Sequence, residues 1–193
     1  MEHKLVCVCG LTGAGKSVVS DWLVDKGFGF FRFGQITLDI VKERGLAPTE
    51  ENERPIREEV RNKYGMGAYA ILNMPKIEAL LGKGHVVGDG LYSWSEYKAL
   101  KEKYGSRLVI IAVYTPPNMR YERLASRKLS AADTRMRNRP ATAEQARTRD
   151  YAEIENIEKA GPIAMADYTI LNTTDVNSVH RQCERILEEI VRQ

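Results

Sequence analysis

One segment near the amino terminus has the residue types and the spacing of a phosphate-binding loop. Residues 10–17 are Gly-Leu-Thr-Gly-Ala-Gly-Lys-Ser and match the pattern G-x-x-x-x-G-K-[ST] at every position. The glycines let the backbone curl so that its N–H groups point inward at a phosphate. We expect Lys16 to reach the β- and γ-phosphates of a nucleotide and the hydroxyl of Ser17 to bind Mg²⁺. The alternative interpretation is a glycine-rich turn that arose by chance.

The sequence on either side of this loop favours nucleotide binding. Residues 5–9 are apolar and end at Gly10, which predicts a strand of a parallel sheet that is covered on both faces. Residues 16–26 place Val19, Trp22 and Leu23 on one face, which predicts a helix. A phosphate held in the loop would lie at the positive end of that helix dipole.

A candidate acid follows another apolar stretch. Residues 86–90 are Val-Val-Gly-Asp-Gly, which predicts a short buried strand that ends in Asp89. Ligands of open α/β sheets bind at the carboxyl ends of the strands. Asp89 is therefore a candidate to face the magnesium ion or its waters. The alternative is an aspartate in a turn before Gly90.

Basic charge is concentrated in one part of the chain. The net charge is +3, but residues 119–149 alone hold nine basic and three acidic residues, which leaves the remainder at −3. One arginine-dense segment suits a compact polyanion such as a nucleotide better than a long nucleic acid. We rank the arginines for phosphate contact in the order Arg127, Arg149, Arg139 and Arg135. The arginines at positions 120, 123 and 127 have the spacing of one helix face, so we expect at least one of the three to cover only the helix surface.

Residues 172–175, Asn-Thr-Thr-Asp, follow the last predicted strand and partly match the guanine-reading pattern N-K-x-D, with Thr173 in place of the lysine. A turn followed by a helix cap is the preferred interpretation. This loop would still border the base of a bound nucleotide.

The 193 residues predict one α/β domain, 1–193, with five strands separated by helices and a mainly parallel sheet. Residues 35–81 form a helical insert, and the polar residues 128–140 form a lid. Hydrophobic residues at 43% and charged residues at 28% exclude a disordered or collagen-like chain. No apolar run of about 18 residues and no signal-peptide pattern is present, so we expect a cytoplasmic protein without a membrane partner.

The cysteines and histidines do not have the spacing of a metal site. Cys7 and Cys9 alternate with valines on the first predicted strand, and Cys183 occupies an apolar position of the last predicted helix. A role as small core side chains is favoured over redox or metal chemistry. The three histidines are scattered.

Several segments together resemble the nucleoside-monophosphate-kinase-like branch of P-loop kinases. Within that branch the chain is most similar to dephospho-coenzyme A kinases and to adenylate-kinase-like archaeal and bacterial proteins. The resemblance extends over nearly the whole chain. The segments that carry it are the loop at 10–17, Gly34, residues 44–52, residues 86–90, residues 120–127, Arg149-Asp150 and residues 166–172.

This resemblance implies a P-loop NTPase fold, ATP and Mg²⁺ as cofactors, and a small-molecule phosphoryl acceptor that binds under the insert. It implies Lys16, Asp89, Arg127 and Arg149 as catalytic residues, with Ser17 and Asp89 at the metal. The implied ATP site consists of Gly10, Thr12, Gly13, Ala14, Gly15, Lys16, Ser17 and Val18.

The chain departs from this pattern in the acceptor region. Related proteins often have an aspartate directly after the glycine at position 34 and an arginine a few residues later, where this chain has Gln35 and Leu38. They also often have an arginine after Asp-Gly, where Tyr92 stands here. Each change removes a group that usually holds an acceptor phosphate, so the nature of the acceptor stays open.

Three hypotheses follow. The leading one is an ATP-dependent kinase acting on a nucleoside monophosphate or a dephospho-coenzyme A type of acceptor. The second is a nucleotide-dependent regulatory ATPase or switch, which the missing acceptor groups favour. The third, binding or end-phosphorylation of a nucleic acid, conflicts with the acidic remainder of the chain. A homodimer formed through the insert is compatible with all three.

Overall fold

The computed structural model describes residues 2–127 and 141–192. The predicted lid, 128–140, lies outside the described residues. The strands are β1 (Leu5–Cys9), β2 (Gly29–Arg32), β3 (Val86–Asp89), β4 (Leu108–Tyr114) and β5 (Tyr168–Leu171).

These strands form one parallel sheet in the order β2-β3-β1-β4-β5. The predicted fold class, an α/β fold of the P-loop NTPase type with a mainly parallel sheet, is confirmed. The central strand β1 places Val8 beside Asp89 of β3 and Cys9 beside Ala112 of β4. Because all strands run the same way, the loop after β1 and the residue Asp89 emerge at the same edge of the sheet.

Helices cover both faces of this sheet. The helices are α1 (Lys16–Asp25), α2 (Gln35–Glu43), α3 (Glu50–Tyr64), α4 (Ala68–Leu81), α5 (Trp94–Tyr104), α6 (Pro117–Ser126), α7 (Ala143–Ile157), α8 (Ala160–Ala164) and α9 (Val176–Arg192). Val6 and Val8 pack with α1 and α9 on one face, whereas Cys7 and Cys9 pack on the other face with α4 and α5. The alternation of valine and cysteine along β1 thus divides the core into two layers. The predicted burial of both cysteines is confirmed.

The helices α2, α3 and α4 lie between β2 and β3, where the sequence predicts a helical insert. Thr49 caps α3 by accepting a hydrogen bond from the backbone N–H of Asn52. Pro75 lies inside α4, which continues from Ala68 to Leu81. Among the described residues, no helix is both long and apolar enough to span a membrane.

Two helices were not anticipated from the sequence. Helix α5 begins with a capping box, in which the Ser93 hydroxyl accepts from the N–H of Glu96 and the Glu96 carboxylate accepts from the N–H of Ser93. The pattern S-x-x-E was visible in the sequence as the signal for this helix. The second, α8, begins at Ala160, after α7 ends and Glu158 turns the chain with φ 52°.

Candidate functional site

An open cleft lies at the carboxyl edge of the sheet. It is bounded by the loop after β1, by the ends of β2 and β3, and by residues that flank α6, α7 and α8. Eight residues predicted from the sequence meet here: Thr12, Gly13, Gly15, Lys16, Ser17, Asp89, Arg127 and Arg149. The other lining residues are Arg32, Gly90, Tyr92 and Lys159.

The phosphate-binding loop needs glycine at specific positions for two reasons. Gly10 has φ +138° and Gly15 has φ +93°, conformations that other residues rarely adopt. A Cβ at Gly10 would also lie 2.5 Å from the carbonyl oxygen of Val113, and one at Gly15 would lie 2.1 Å from Nδ2 of Asn172. The loop is therefore tightly enclosed by β4 and by the loop after β5.

Lys16 folds over this loop at the start of α1. Its Nζ donates hydrogen bonds to the carbonyl oxygens of Gly10, at 2.9 Å, and Leu11, at 3.2 Å. Burial and the positive charge of Lys159 lower the pKa of Lys16 to about 7, although the charge of Asp89 acts in the opposite direction. An anion bound beside Lys16 would favour its protonated form.

Ser17 and Asp89 line the cleft with side-chain oxygen atoms that could hold a metal ion. Asp89 is buried at the end of β3, and its Oδ1 lies within 3.3 Å of the hydroxyl of Ser20. The described residues contain no group of three or more His, Cys, Asp or Glu side chains that would hold a metal ion. A hydroxyl and one carboxylate fit Mg²⁺, which is usually held by one or two carboxylates together with substrate phosphates and water.

The other predicted nucleotide-binding residues, which are Gly10, Ala14 and Val18, lie outside the lining of the cleft. Gly10 accepts the hydrogen bond from Lys16 described above, and Val18 packs partly buried against the core. Ala14 is buried, and its carbonyl oxygen accepts a 2.9 Å hydrogen bond from Nδ2 of Asn172. Asn172 thus braces the loop with its side-chain amide.

The predicted helix cap after β5 is confirmed. Oδ1 of Asp175 accepts a 2.9 Å hydrogen bond from the backbone N–H of Ser178, in the first turn of α9. Asn172 and Asp175, which aligned with a guanine-reading pattern, are therefore engaged in bracing the loop and capping a helix.

Arg120 is a structural residue. It forms an ion pair of 2.7 Å with Asp150, and the two side chains are only 3% and 5% exposed. Its guanidinium also donates to the carbonyl oxygens of Thr12 and Thr115. This arginine therefore ties α6 and α7 to the phosphate-binding loop from the interior and does not cover the helix surface.

Arg127 and Arg149, the two arginines ranked first for phosphate contact, both line the cleft. Arg127 follows the end of α6, and Arg149 lies on α7 with a side chain that is 48% exposed. The next two arginines in the ranking, Arg139 and Arg135, lie outside the described residues.

Sequence reasoning missed two cations of the cleft. Arg32 ends β2 beside Asp89 of β3, and a charged residue at the carboxyl end of an apolar strand was a usable signal. Lys159 is 1% exposed, and its Nζ lies 4.8 Å from the centre of the Tyr92 ring. No spacing in the sequence indicated Lys159, because its position depends on the turn at Glu158.

Comparisons with known proteins identify the family of this chain. The family model described as AAA domain matches residues 6–156. A UPF0200 protein of Thermococcus onnurineus is 30% identical over 191 residues, which cover 98% of this chain and 99% of the relative. The chain therefore belongs to the AAA domain family and to the family of UPF0200 proteins.

Solved structures place the fold among P-loop kinases. A shikimate kinase of Acinetobacter baumannii, in complex with shikimate, has a TM-score of 0.59 at 18% identity, over 98% of this chain and 94% of that chain. A gluconokinase of Sinorhizobium meliloti has a TM-score of 0.53 at 15% identity, over 100% and 97%. The resemblance to P-loop kinases inferred from the sequence is confirmed at the level of the fold.

Proposed function

We propose that this protein is an ATP-dependent small-molecule kinase that transfers the γ-phosphoryl group to a nucleotide-like acceptor. One observation carries the proposal. Among the residues that the structure describes, five cationic side chains line a single cleft together with the carboxylate of Asp89: Lys16, Arg32, Arg127, Arg149 and Lys159. The P-loop, with Lys16, suits the phosphates of one nucleotide, and the additional cations suit a second anionic molecule and the charge that moves between the two.

The donor nucleotide would bind at the phosphate-binding loop. The inward N–H groups of the loop and the ammonium of Lys16 would hold its phosphates at the amino end of α1. Ser17 and Asp89 would hold Mg²⁺, which when bound neutralises phosphate charge. Arg127 and Arg149 would stabilise the charge on the transferred group.

The acceptor would bind between the cleft and the insert 35–81. Its hydroxyl or phosphate oxygen attacks the γ-phosphorus, and the bond to the β,γ-bridging oxygen breaks so that ADP leaves in line. Asp89 would orient the attacking group or the metal. Because this step needs little covalent chemistry from the protein, catalysis would come from positioning and charge stabilisation.

The structural neighbours support a small-molecule acceptor, since their names identify a shikimate kinase and a gluconokinase. Those names do not identify the acceptor of this protein. Gln35 lies on α2, where its side-chain amide donates to Asp39, and Tyr92 stands in the cleft. Neither residue replaces the acidic and basic groups that related proteins often have at these positions. The competing function is therefore a regulatory ATPase, which has no small-molecule acceptor.

The test is ADP formation from Mg-ATP across a panel of nucleoside monophosphates, deoxynucleotides and dephospho-coenzyme A. We expect one acceptor to accelerate ADP formation by orders of magnitude, and Lys16→Ala to abolish the acceleration. Lys101→Ala, on the exposed surface of α5, is the matched control that should behave as the wild type. Slow hydrolysis that no acceptor changes would favour the regulatory ATPase.

A further inference from the structure

Glu153 of α7 holds two cations of the cleft at once. Its Oε1 accepts a 2.9 Å hydrogen bond from Nε of Arg149, and its Oε2 accepts a 2.5 Å bond from Nζ of Lys159. Burial alone would raise the pKa of Glu153, but the charges of Lys159 and Arg149 outweigh it and lower the pKa to about 2. The carboxylate therefore stays ionised and fixes both cations.

The backbone forces Lys159 into this position. Glu158 adopts the left-handed conformation, with φ 52° and ψ 42°, and is the one non-glycine residue with positive φ in the described ranges. This turn lets the backbone N–H of Lys159 donate to the carbonyl oxygen of Glu153, at 3.1 Å. The side chain of Lys159 consequently returns beneath α7 instead of extending into solvent.

The close packing of α8 keeps Lys159 beside Tyr92 in the cleft. A Cβ at Gly161 would lie 2.8 Å from Cε3 of Trp94, so the absence of a side chain allows α8 to approach α5. The loop before α5 carries Tyr92, over whose ring Lys159 lies. Lys159, Arg149 and Tyr92 all line the cleft.

The charges of this cluster do not balance. Two cations, Arg149 and Lys159, share the single carboxylate of Glu153. Arg149 reaches Glu153 through Nε, so its two terminal nitrogens are outside that bond. Lys159 has three donor protons, more than its bond to Glu153 needs. The surplus of charge and of donors matches a dianion better than a singly charged carboxylate.

We propose that Lys159 and Arg149 bind a phosphate monoester group of the acceptor, and that Glu153 is the residue that positions both cations. This inference rests on the proposed kinase function and adds to it a phosphate-bearing class of acceptor. None of the three residues belongs to the phosphate-binding loop, so this anion site is separate from the loop that would hold the donor.

The test uses the full chain saturated with Mg²⁺ and the non-hydrolysable ATP analogue AMPPNP, which occupies the phosphate-binding loop. Inorganic phosphate is the probe, and acetate at equal ionic strength is the comparison; both are titrated by calorimetry. We expect phosphate to bind measurably and acetate about tenfold or more weakly, since charge-assisted hydrogen bonds to a dianion are the stronger ones.

Two variants of the site and one control variant separate an effect on phosphate binding from an effect on folding. The double variant Glu153→Gln/Lys159→Met removes both buried charges, so that no unpaired ion is left in the interior. We expect the folded variant still to be saturated by AMPPNP through the phosphate-binding loop and, at that saturation, to lose about tenfold or more in phosphate affinity. Lys159→Arg keeps the cation and should retain phosphate binding. Lys101→Met, on exposed α5, should change neither affinity.

Each outcome has a distinct meaning. Phosphate binding that is unchanged in the double variant overturns the inference and leaves Lys159 with a structural role. The absence of phosphate binding by wild-type protein that holds AMPPNP also overturns it, while leaving the proposed kinase function intact. A failure of the wild type to bind AMPPNP contradicts the proposed function itself, and with it this inference.

Discussion

Asn172 and Ala14, 158 positions apart in the sequence, are joined by a 2.9 Å hydrogen bond from the side-chain amide to the backbone carbonyl oxygen. The bond connects the loop after β5 to the middle of the phosphate-binding loop. The same Nδ2 atom would lie only 2.1 Å from a Cβ at Gly15. The curvature of the phosphate-binding loop is thus fixed both by a hydrogen bond and by a steric limit.

Replacing Asn172 by alanine removes this brace. We expect Asn172→Ala to weaken ATP affinity about tenfold, which corresponds to one lost buried hydrogen bond of roughly 1.4 kcal/mol. Asp175→Ala is the matched control, because Asp175 is in the same loop but caps α9. The control should lower the free energy of unfolding by about 1 kcal/mol and leave ATP affinity unchanged. Equal losses of ATP affinity in both variants would contradict the assignment.

A substitution at Gly15 tests the steric limit. Gly15→Ala should abolish ATP binding, because the new Cβ would lie 2.1 Å from Nδ2 of Asn172. Gly27→Ala is a control with nearly the same backbone strain, since Gly27 has φ +91° but nothing within 4 Å of its Cβ position. Gly27→Ala should cost about 1 kcal/mol of stability and keep ATP affinity. Titration calorimetry and urea unfolding measure the two quantities, and a Gly15→Ala protein with full ATP affinity would refute the geometry.

The pKa of Lys16 predicts proton uptake on nucleotide binding. In the free protein burial and the charge of Lys159 lower that pKa to about 7, so Lys16 is mostly neutral at pH 8. Bound phosphates favour the ammonium form and raise the pKa. ATP binding should therefore take up close to one proton at pH 8 and little at pH 6, and affinity should fall as the pH rises above 7.

Calorimetry in two buffers of different ionisation enthalpy measures this uptake. Lys16→Arg is the control, because an arginine stays protonated at both pH values and should show no uptake from this position. An uptake that is absent in the wild type at pH 8, or that persists in the variant, would rule out Lys16 as its source.

The pair Arg120–Asp150 predicts a large effect on stability. Arg120→Met leaves the carboxylate of Asp150 buried without its partner, and we expect a loss of about 3–5 kcal/mol in the free energy of unfolding. Arg147→Met, on the exposed side of α7, is a control whose unfolding midpoint should match the wild type. If Arg120→Met unfolded at the denaturant concentration of the wild type, the ion pair would not hold α6 and α7 together.

Much of the fold could be predicted because its signals are local. The apolar runs that end at Gly10 and in Asp89 predicted two strands, and both are present as β1 and β3. The unexpected break between α7 and α8 has a different origin. It depends on Glu158 adopting a left-handed conformation, which glycine or asparagine would have signalled and glutamate does not.

The candidate site was predictable to the extent that it follows a motif. The loop residues and Asp89 meet in one cleft because parallel strands end at the same edge, whereas Arg127 and Arg149 reach the cleft from the end of α6 and from α7. Lys159 was missed, since a buried lysine is recognised only by its partner, and Glu153 is six residues away across a turn. The role of Asn172 was missed as well, because its contact with Ala14 is made by the tertiary structure alone.

The most direct measurement of the central claim is the fate of the γ-phosphoryl group of ATP. The protein is incubated with Mg²⁺ and ATP labelled at the γ-phosphorus, together with the acceptor panel, and labelled products are separated. The account predicts label in one organic phosphate ester, with ADP formed in equal amount and no transfer by Lys16→Ala. Label that appears only as inorganic phosphate, at a rate that no acceptor changes, would contradict the kinase function.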